Sequence, residues 1–469
     1  MSLQKEKMSN VDTAWWHMEE PTNLMMITAI MTVEGELDYP RLMKTVEQRL
    51  LKFDRFRQRV ADSNSALGAV NWELDPYFDL DAHMRRIGLP SPGGKKELEA
   101  LVSDLMSTPL DYNKPLWQYH IIEGYESGYV IVGRLHHCIA DGIALMRVLL
   151  SMTDETPDPI EAEEEPNSRI RRSGPLRRVL RPAIGAARLT GKVTGTVASE
   201  SYKTVRNPGR VVDAAKYSAR FAGRLGKVTL RWPDPPTLFK GDLGVLKRAA
   251  WSDPISLADV KRIGKVTGGT VNDVMAAAVT GALRRYMDGH DVQTAGLNFR
   301  AYIPFNLRPL DEPIELGNKF GLVFLQLPIG TVDQIERLQI IKQRMDELKS
   351  STEPEVAITL LSTAGMLPKD IESQVFKLFH AKATAVMTNV PGPQKTLYLA
   401  GGRLRHILGW VPQAGNVGLG ISILSYDGKI LVGINTDAGL VPDPEKIIDY
   451  FMVEYEEYLD LANAIGIED

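Results

Sequence analysis

Residues 136–142, "HHCIADG", mark the point at which a strand pattern ends and a helix pattern begins. Residues 129–137, "YVIVGRLHH", are rich in apolar and β-branched side chains and predict a strand. Residues 141–152, "DGIALMRVLLSM", predict a helix. Successive strand residues face opposite sides of a sheet. If the strand continues through the pair, only one of His136 and His137 can therefore face a given cavity.

This junction brings together two residue types that can accept or orient a proton. A neutral imidazole has a pKa near working pH and can take a proton from an attacking hydroxyl group. Asp141, four residues after His137, can orient the loop through a salt bridge or backbone hydrogen bonds. An isolated H-x-x-x-D pattern also fits two histidines that end a strand and an aspartate that only caps a helix.

Length and composition limit the classes of protein to consider. The chain has 469 residues, more than one hydrophobic core usually supports, which favours two domains. Its single cysteine, Cys138, excludes an intramolecular disulfide bond and suits a reducing cytoplasm. We expect no membrane-spanning helix, because no apolar run reaches ~18–20 residues, and no secretory signal. The glycine, cysteine and histidine spacings predict neither a phosphate-binding loop nor a metal site.

Charge and pattern divide the chain into three zones. Residues 1–153 and 241–469 each alternate strand and helix patterns, which predicts a two-domain α/β protein. The zone between them, 154–240, begins with a solvated linker, residues 154–167, that has seven acids, three prolines and no basic residue. Residues 168–231 then carry 16 lysines and arginines against two acids, and such a separation of charge usually indicates a partner.

The second half contains helix and strand patterns whose ends can be placed. Ser256 suits the N-cap of one helix, and Thr270 suits the start of a long alanine-rich helix. Strand patterns and a closing helix pattern follow at residues 321–330, 382–390, 417–426, 429–437 and 443–462.

Several motifs occur together in an order that resembles a known family. "HHCIADG" matches the HHxxxDG signature of the CoA-dependent acyltransferase superfamily. The further motifs are "PLW" at 115–117, "ND" at 272–273, "PFNLR…GN" at 304–318 and "NVPGP" at 389–393. Together they resemble the bacterial wax ester synthase/diacylglycerol acyltransferases over nearly the whole chain. Where that family has a "PMHVG"-like stretch this chain has "PTNLMMI", a difference that bears on acyl or alcohol preference.

The resemblance implies a fold and a reaction. The fold is expected to be the two-domain chloramphenicol acetyltransferase-like α/β fold, with mixed sheets, flanking helices and a long inter-domain crossover. The reaction is expected to move a long-chain acyl group from acyl-CoA, the co-substrate, to a fatty alcohol or a diacylglycerol. The products are then wax esters or triacylglycerols. Transfer is expected to be direct, without an acyl-enzyme, a bound cofactor or a metal ion.

The resemblance also assigns roles to the residues of the signature. His137 is expected to be the general base, and His136 to support it. Asp141 is expected to be structural and paired with an arginine, for which Arg308 in "PFNLR" is the candidate. We expect Gly142 to permit a tight turn or close packing after the aspartate.

Two further motifs carry candidate residues. Asn272 lies at a predicted helix N-terminus, where it can stabilise the oxyanion, position the acceptor, or simply cap the helix. Asp273 is expected to be a first-turn acid that complements the helix dipole. In "NVPGP", Pro391 and Gly392 predict a type II turn in which the glycine has positive φ. Cys138 inside the signature is expected to be a variable position and not a nucleophile.

The basic segment, residues 168–231, has arginines between apolar positions, as in a helix that lies on a membrane surface. We expect it to hold the enzyme against anionic lipid on the inner face of the cell membrane or on lipid inclusions, or to be a solvated linker. It lacks the aromatic interleaving of a nucleic-acid-binding segment. Two other functions stay open: a peptide-synthetase-type condensation domain, and a non-catalytic protein that binds lipid inclusions.

Overall fold

The computed structural model describes residues 5–62, 70–158, 232–307, 315–349, 358–359, 361–362, 372, 376–377, 380–413 and 415–465. The basic segment and Arg308 lie outside these described residues, so the predictions made for them are not tested by the structure. None of the helices in the described ranges is long and apolar enough to span a membrane.

The structure has helices in both halves of the chain. They are α1 (Asn10–His17), α2 (Tyr39–Thr45), α3 (Lys95–Ser107), α4 (Gly142–Met152), α5 (Leu257–Thr267), α6 (Val271–Asp288), α7 (Gln334–Lys349) and α8 (Pro444–Ala464). Helix α5 has Ser256 as its N-cap and α6 has Thr270, so both predicted starts are confirmed.

The strands alternate with these helices in both halves of the chain. They are β1 (Lys5–Lys7), β2 (Met26–Glu34), β3 (Gln58–Asp62), β4 (Val70–Leu74), β5 (Met84–Gly88), β6 (Trp117–Tyr125), β7 (Gly128–His136), β8 (Lys247–Trp251), β9 (Ile255–Ser256), β10 (Phe299–Asn306), β11 (Phe320–Leu327), β12 (Ala385–Pro391), β13 (Tyr398–Leu399), β14 (Gly402–Trp410), β15 (Leu419–Tyr426) and β16 (Lys429–Asp437).

The strands form two large mixed sheets and a small one. The first large sheet has the order β13-β14-β2-β7-β6-β5, with β5 and β6 parallel and the other neighbours antiparallel. The second has the order β11-β10-β12-β15-β16-β8, with β9 also on β16. Here β12 runs parallel to both β10 and β15. The small sheet is β1-β4-β3. Mixed sheets with flanking helices match the predicted fold class.

One strand crosses from the second half of the sequence into the first sheet. Strand β14 pairs antiparallel with β2, with Trp410 opposite Thr28 and Arg403 opposite Glu34. The two halves therefore share a sheet, although residues 241–469 read as a separate zone in the sequence. The predicted domain limits stay a prediction.

The predicted junction at the histidine pair is confirmed. Strand β7 ends at His136, and α4 begins at Gly142 with Asp141 as its N-cap. The Asp141 Oδ1 atom accepts a hydrogen bond from the Ala144 amide at 2.8 Å. Because the strand stops at His136, His137 lies in the turn that follows and not on the strand.

A short segment from the second half, Gly317–Lys319, is hydrogen-bonded to this turn. The Gly317 amide donates to the Ile139 carbonyl at 2.9 Å, and the Gly317 carbonyl accepts from the Asp141 amide at 3.4 Å. The Lys319 amide donates to Asp141 Oδ2 at 3.0 Å. Gly317 has a φ of +96°, a conformation that L side chains rarely adopt, so glycine is required at this position.

Gly142 does not meet the expectation of a tight turn or close packing. Its φ is not in the left-handed region, and an added Cβ would meet no atom within 4 Å. The physical reason is that Gly142 occupies the ordinary first helical position of α4 and faces open space instead of packed atoms.

Gly317 and Gly142 allow a matched test of how much the positive φ of Gly317 matters for stability. Gly317→Ala should lower the free energy of unfolding by about 1–2 kcal/mol, because alanine is strained at positive φ. Gly142→Ala should stay within about 0.5 kcal/mol of the original protein. Urea denaturation measures both values. Equal stability of the two variants would contradict the importance of the Gly317 conformation.

Candidate active site

The His137 ring is enclosed by two aromatic side chains. It stacks on Trp15 of α1 with ring centroids 4.0 Å apart and an interplanar angle of 14°. Phe320 of β11 lies at 5.6 Å in a tilted orientation. The residue is 3% exposed, and its amide donates to the Met25 carbonyl at 2.7 Å. Backbone and ring are thus both held in place.

Burial controls the protonation of His137. Removal from water disfavours the charged ring and lowers its pKa to about 4. The Asp141 carboxylate, the His137 carbonyl and the Asn318 side chain act in the opposite direction and raise the pKa, whereas His136 lowers it. The imidazole is therefore neutral at physiological pH, the state in which it can accept a proton.

Two buried residues, Asp12 and Asn318, support the turn through hydrogen bonds. Asn318 Nδ2 donates to Asp12 Oδ1 at 2.7 Å and to the His137 carbonyl at 2.8 Å, which uses both protons of the amide group. Asp12 also accepts from the Asn318 amide at 3.1 Å and from the Ser9 hydroxyl at 2.7 Å. Burial raises the pKa of Asp12, and these hydrogen bonds lower it. The contacts join α1, the turn formed by residues 136–141 (the histidine turn) and the Gly317–Lys319 segment.

His136 occupies a different environment from His137. Its Nδ1 accepts a hydrogen bond from the Cys138 amide at 3.1 Å, so a neutral ring carries its proton on Nε2. Nε2 lies 3.3 Å from a carboxylate oxygen of Glu19. Glu19 in turn accepts hydrogen bonds from the Met25 amide and the Tyr112 hydroxyl. His136 is thereby held by its neighbours as a fixed part of the turn.

Asp141 and Cys138 are the other two signature residues whose surroundings bear on the chemistry. Asp141 accepts the amides of Ala144 and Lys319, one inside α4 and one from the Gly317–Lys319 segment. Its proposed partner Arg308 lies outside the described residues. Cys138 is fully buried, and burial raises the pKa of its thiol well above the usual value, which disfavours a reactive thiolate.

Asn272 and Asp273 lie at the start of α6 as predicted, but the cap is a different residue. Thr270 is the N-cap, and Asp273 completes a capping box by accepting from the Thr270 amide and hydroxyl, both at 2.8 Å. Asn272 is exposed, and its Oδ1 accepts from Asn389 Nδ2 at 2.7 Å. The capping alternative for Asn272 is therefore wrong.

The "NVPGP" motif does not form the predicted turn. Strand β12 continues through Pro391, and Gly392 does not have positive φ. The Gly392 amide donates to the Ser425 carbonyl at 2.8 Å, and an added Cβ would lie 2.4 Å from that oxygen. The close approach of the Ser425 backbone explains why glycine occupies position 392, and the predicted type II turn is wrong.

An apolar cavity that is open to solvent lies between α4 and strands of both large sheets, and about 810 Å³ of space there, open solvent included, is not occupied by protein atoms. Leu135 and Gly142, which flank the histidine turn, belong to its wall, and Met31 of β2 belongs to it as well. Ile27 and Met31 are four strand residues apart, so the wall extends ~13 Å along β2. Its apolar lining suits the apolar part of a ligand.

The cavity also shows on which side of β12 the asparagine pair lies. Thr388 and Val390 line the cavity, and Asn389 is the residue between them. Side chains alternate along a strand, so Asn389 and its partner Asn272 lie on the other face of β12. The hydrogen bond to Asn389 does not connect Asn272 to His137, and the role of Asn272 at the reaction centre stays a prediction.

Sequence reasoning missed three residues that contact the histidine turn, Trp15, Glu19 and Asn318. It also missed Asp12, which accepts hydrogen bonds from Asn318. Asn318 was part of the quoted "GN" motif without a role, and the adjacent aromatic pair in "DTAWW" was the signal for Trp15. In the part of the chain that the structure describes, no group of three His, Cys, Asp or Glu side chains is placed to hold a metal ion.

Comparisons with solved structures identify the fold. A wax ester synthase/diacylglycerol acyltransferase from Marinobacter aquaeolei VT8 superposes with a TM-score of 0.67 at 20% identity, covering 97% of this chain and 100% of that one. The starter condensation domain of rhizomide synthetase, in complex with C8-CoA and Leu-SNAC, superposes with a TM-score of 0.59 at 14% identity, covering 98% and 94%. These similarities confirm the predicted CoA-dependent acyltransferase fold.

Sequence comparisons identify the family. A probable diacylglycerol O-acyltransferase of Mycobacterium tuberculosis strain H37Rv is 29% identical over 428 residues, covering 89% of this chain and 88% of the relative. A putative diacylglycerol O-acyltransferase of the same strain is 28% identical over 476 residues, covering 98% and 91%. The sequence model of the wax ester synthase/diacylglycerol acyltransferase catalytic domain matches residues 8–275, and that of the WS/DGAT C-terminal domain matches residues 316–458. The chain belongs to the wax ester synthase/diacylglycerol acyltransferase family.

Proposed function

We propose that the protein transfers a long-chain acyl group from acyl-CoA to a fatty alcohol or a diacylglycerol, with His137 as the general base. Family membership makes it an acyl-CoA O-acyltransferase, and the choice of acceptor and the residue roles are our proposal. The observation that carries the proposal is a neutral imidazole in a turn whose two flanks, Leu135 and Gly142, form part of an apolar cavity.

The proposed reaction is a direct transfer. His137 takes the proton of the acceptor hydroxyl as its oxygen attacks the thioester carbonyl carbon. The carbon–sulfur bond then breaks, and the proton passes from the imidazolium to the departing CoA thiolate. No acyl-enzyme is required, which agrees with the buried Cys138 thiol and its raised pKa.

The other signature residues position the base in this proposal. His136 accepts the Cys138 amide, and its Nε2 faces Glu19, so its ring fixes the turn without taking part in proton transfer. Asp141 caps α4 and accepts the Lys319 amide. Asn272 keeps its proposed role in stabilising the oxyanion or positioning the acceptor, supported only by its place near the N-terminus of α6.

The apolar cavity is the proposed site for a hydrocarbon tail. Its lining is almost entirely aliphatic and aromatic, and Met31 contributes the flexible thioether expected of a wall that accommodates chains of different length. A non-catalytic lipid-binding protein would also need such a cavity. It would not need a neutral imidazole in the turn after β7, stacked on Trp15 and with its carbonyl hydrogen-bonded to Asn318.

A condensation domain is the second candidate within the same fold. The starter condensation domain of rhizomide synthetase has a similar fold, but that similarity concerns the fold alone. The two family models that match residues 8–275 and 316–458 belong to the lipid branch. An assay of purified protein with labelled palmitoyl-CoA and hexadecanol or diacylglycerol separates the two. Product formed only from carrier-tethered acyl groups would favour condensation.

The basic segment, residues 168–231, supports a peripheral location on the inner face of the cell membrane or on lipid inclusions. Each basic residue near an anionic surface contributes ~1 kcal/mol to binding, and the segment has 16 of them. Both proposed substrates carry apolar chains that partition into lipid. A surface-bound enzyme therefore meets them at high local concentration.

Replacement of the base gives the first test. His137→Ala should lower kcat by about 10²- to 10⁴-fold, because general-base catalysis is lost. His136→Asn should cause a smaller loss, since it changes the support of the turn and not the proton acceptor. Ester formation from labelled palmitoyl-CoA and hexadecanol measures both. Full activity of the folded His137→Ala protein would remove the general-base assignment.

The pH dependence of the reaction gives a second test. The acid limb of kcat/KM should fall near pH 4 and not near 6.5, because burial lowers the pKa of His137 to about 4 and the ring must be neutral to act. The folded pKa lies below the unfolded value of 6.5, so the unfolded state binds more protons and stability is also lost as pH falls below about 6.5. Circular dichroism at each pH separates the two effects. An acid limb near 6.5 in fully folded protein would contradict the assignment.

Vesicle binding tests the basic segment. Binding to vesicles that contain anionic lipid should weaken as salt rises from about 0.05 to 0.5 M, because exposed charges are screened. Neutral vesicles are the control. A variant with Arg171, Arg172, Arg177 and Arg178 replaced by glutamine should bind more weakly and keep its turnover of detergent-dispersed substrate. Binding that ignores lipid charge and salt would leave the segment as a solvated linker.

A further inference from the structure

Trp15 stacks on His137, and none of the roles proposed above explains this contact. The two rings are nearly parallel, with centroids 4.0 Å apart and an interplanar angle of 14°. Trp15 comes from α1, more than a hundred residues before the histidine, and is itself 4% exposed. Stacking covers the face of the imidazole. The lone pair that accepts a proton lies in the plane of the ring, so the contact leaves proton transfer possible.

The buried position creates an energetic difficulty for a base. Accepting the hydroxyl proton turns the imidazole into a cation, and burial penalises that charge. Asp141, at the start of α4, favours the cation, and His136, at the end of β7, opposes it. From the Gly317–Lys319 segment Asn318 also favours the cation, and the Asp12 carboxylate of α1 is bonded to Asn318 and Ser9. An additional contact that stabilises the imidazolium would act only after His137 has taken up the proton.

We propose that Trp15 is a catalytic residue whose indole face stabilises the imidazolium formed when His137 accepts the acceptor proton. The inference rests on the proposed role of His137 as general base. In this step the hydroxyl O–H bond breaks and an N–H bond forms on His137, while the oxygen bonds to the thioester carbon. The cation lasts until its proton reaches the CoA sulfur and the carbon–sulfur bond breaks. The indole thus favours the charged state of the reaction over the neutral starting state.

The choice of indole at this position supports a role beyond packing. The Trp15 Nε1–H group is buried and has no hydrogen-bond partner among the described residues. A buried donor without a partner is unfavourable, and a phenyl ring would avoid that cost. Indole is, however, the strongest of the aromatic faces for a cation within about 6 Å of the ring centroid. The structure thus keeps an unsatisfied group together with the ring best able to stabilise a charge.

Graded substitutions at Trp15 test the inference. Trp15→Phe keeps a weaker aromatic face and should lower kcat about 3-fold, and Trp15→Leu removes the face and should lower it about 10- to 30-fold. KM for acyl-CoA and for hexadecanol should change little, because the stabilisation acts on the charged state. The acid limb of the kcat profile should move to lower pH in Trp15→Leu, since the cation loses a favourable contact. Urea denaturation confirms that each variant is folded.

Two controls separate this inference from the proposed function and from simple packing. Trp16→Leu removes the neighbouring indole of α1, whose ring is half-buried and contacts Tyr112 and His136, and kcat should change less than about 3-fold. His137→Ala tests the general base itself. If it is inactive while Trp15→Phe and Trp15→Leu both keep kcat and the acid limb, the role of Trp15 is refuted and the general base stands. If His137→Ala is active, the proposed general base is wrong, and the role of Trp15 that rests on it is wrong as well. Equal losses of kcat in Trp15→Leu and Trp16→Leu would also refute the inference.

Discussion

The geometry of the site depends on hydrogen bonds between the histidine turn and the Gly317–Lys319 segment, two stretches far apart in the sequence. Gly317 bonds to the backbone on both sides of Ala140, Asn318 to the His137 carbonyl, and Lys319 to the Asp141 carboxylate. A backbone held at this many points leaves the ring little freedom to tilt, and positioning of this kind contributes directly to rate. The signature motif thus supplies only one side of these hydrogen bonds, because the other side comes from the second part of the chain.

Burial and catalysis oppose each other at His137, and the surroundings of the ring reflect both. Removal from water keeps the imidazole neutral, which a base requires, and the same removal makes the protonated ring costly. Asp141 and Asn318 reduce that cost through charge and dipole. The aromatic side chains of Trp15 and Phe320 exclude water from the ring without offering a competing proton acceptor. Burial and the polar neighbours of the ring thus act in opposite directions on the balance between its two protonation states.

Features set by neighbouring residues could be predicted from the sequence, and features set by distant ones could not. The strand, the Asp141 cap and the helix that opens at Thr270 depend on short-range propensities and capping, and all three were confirmed. Gly142 and Gly392 were misjudged because a glycine in a sequence does not reveal whether it serves a positive φ, a close backbone or an open space. The stacking of Trp15 and the hydrogen bonds of Asn318 arise only when three separate segments meet, so the local patterns "DTAWW" and "GN" do not reveal which residues they contact.

The placement of β14 in the first sheet has a consequence for how the protein is made. Strand β2 is apolar and lies between β7 and β14, and its partner Leu404 follows Val33 by roughly 370 residues. At typical translation rates of about 5–20 residues per second, that edge of β2 is synthesised roughly 20–70 s before the strand that covers it. An exposed apolar edge is a template for pairing with other chains. Until β14 has been synthesised, the edge of β2 that it covers therefore lacks its native partner and is open to pairing with other chains.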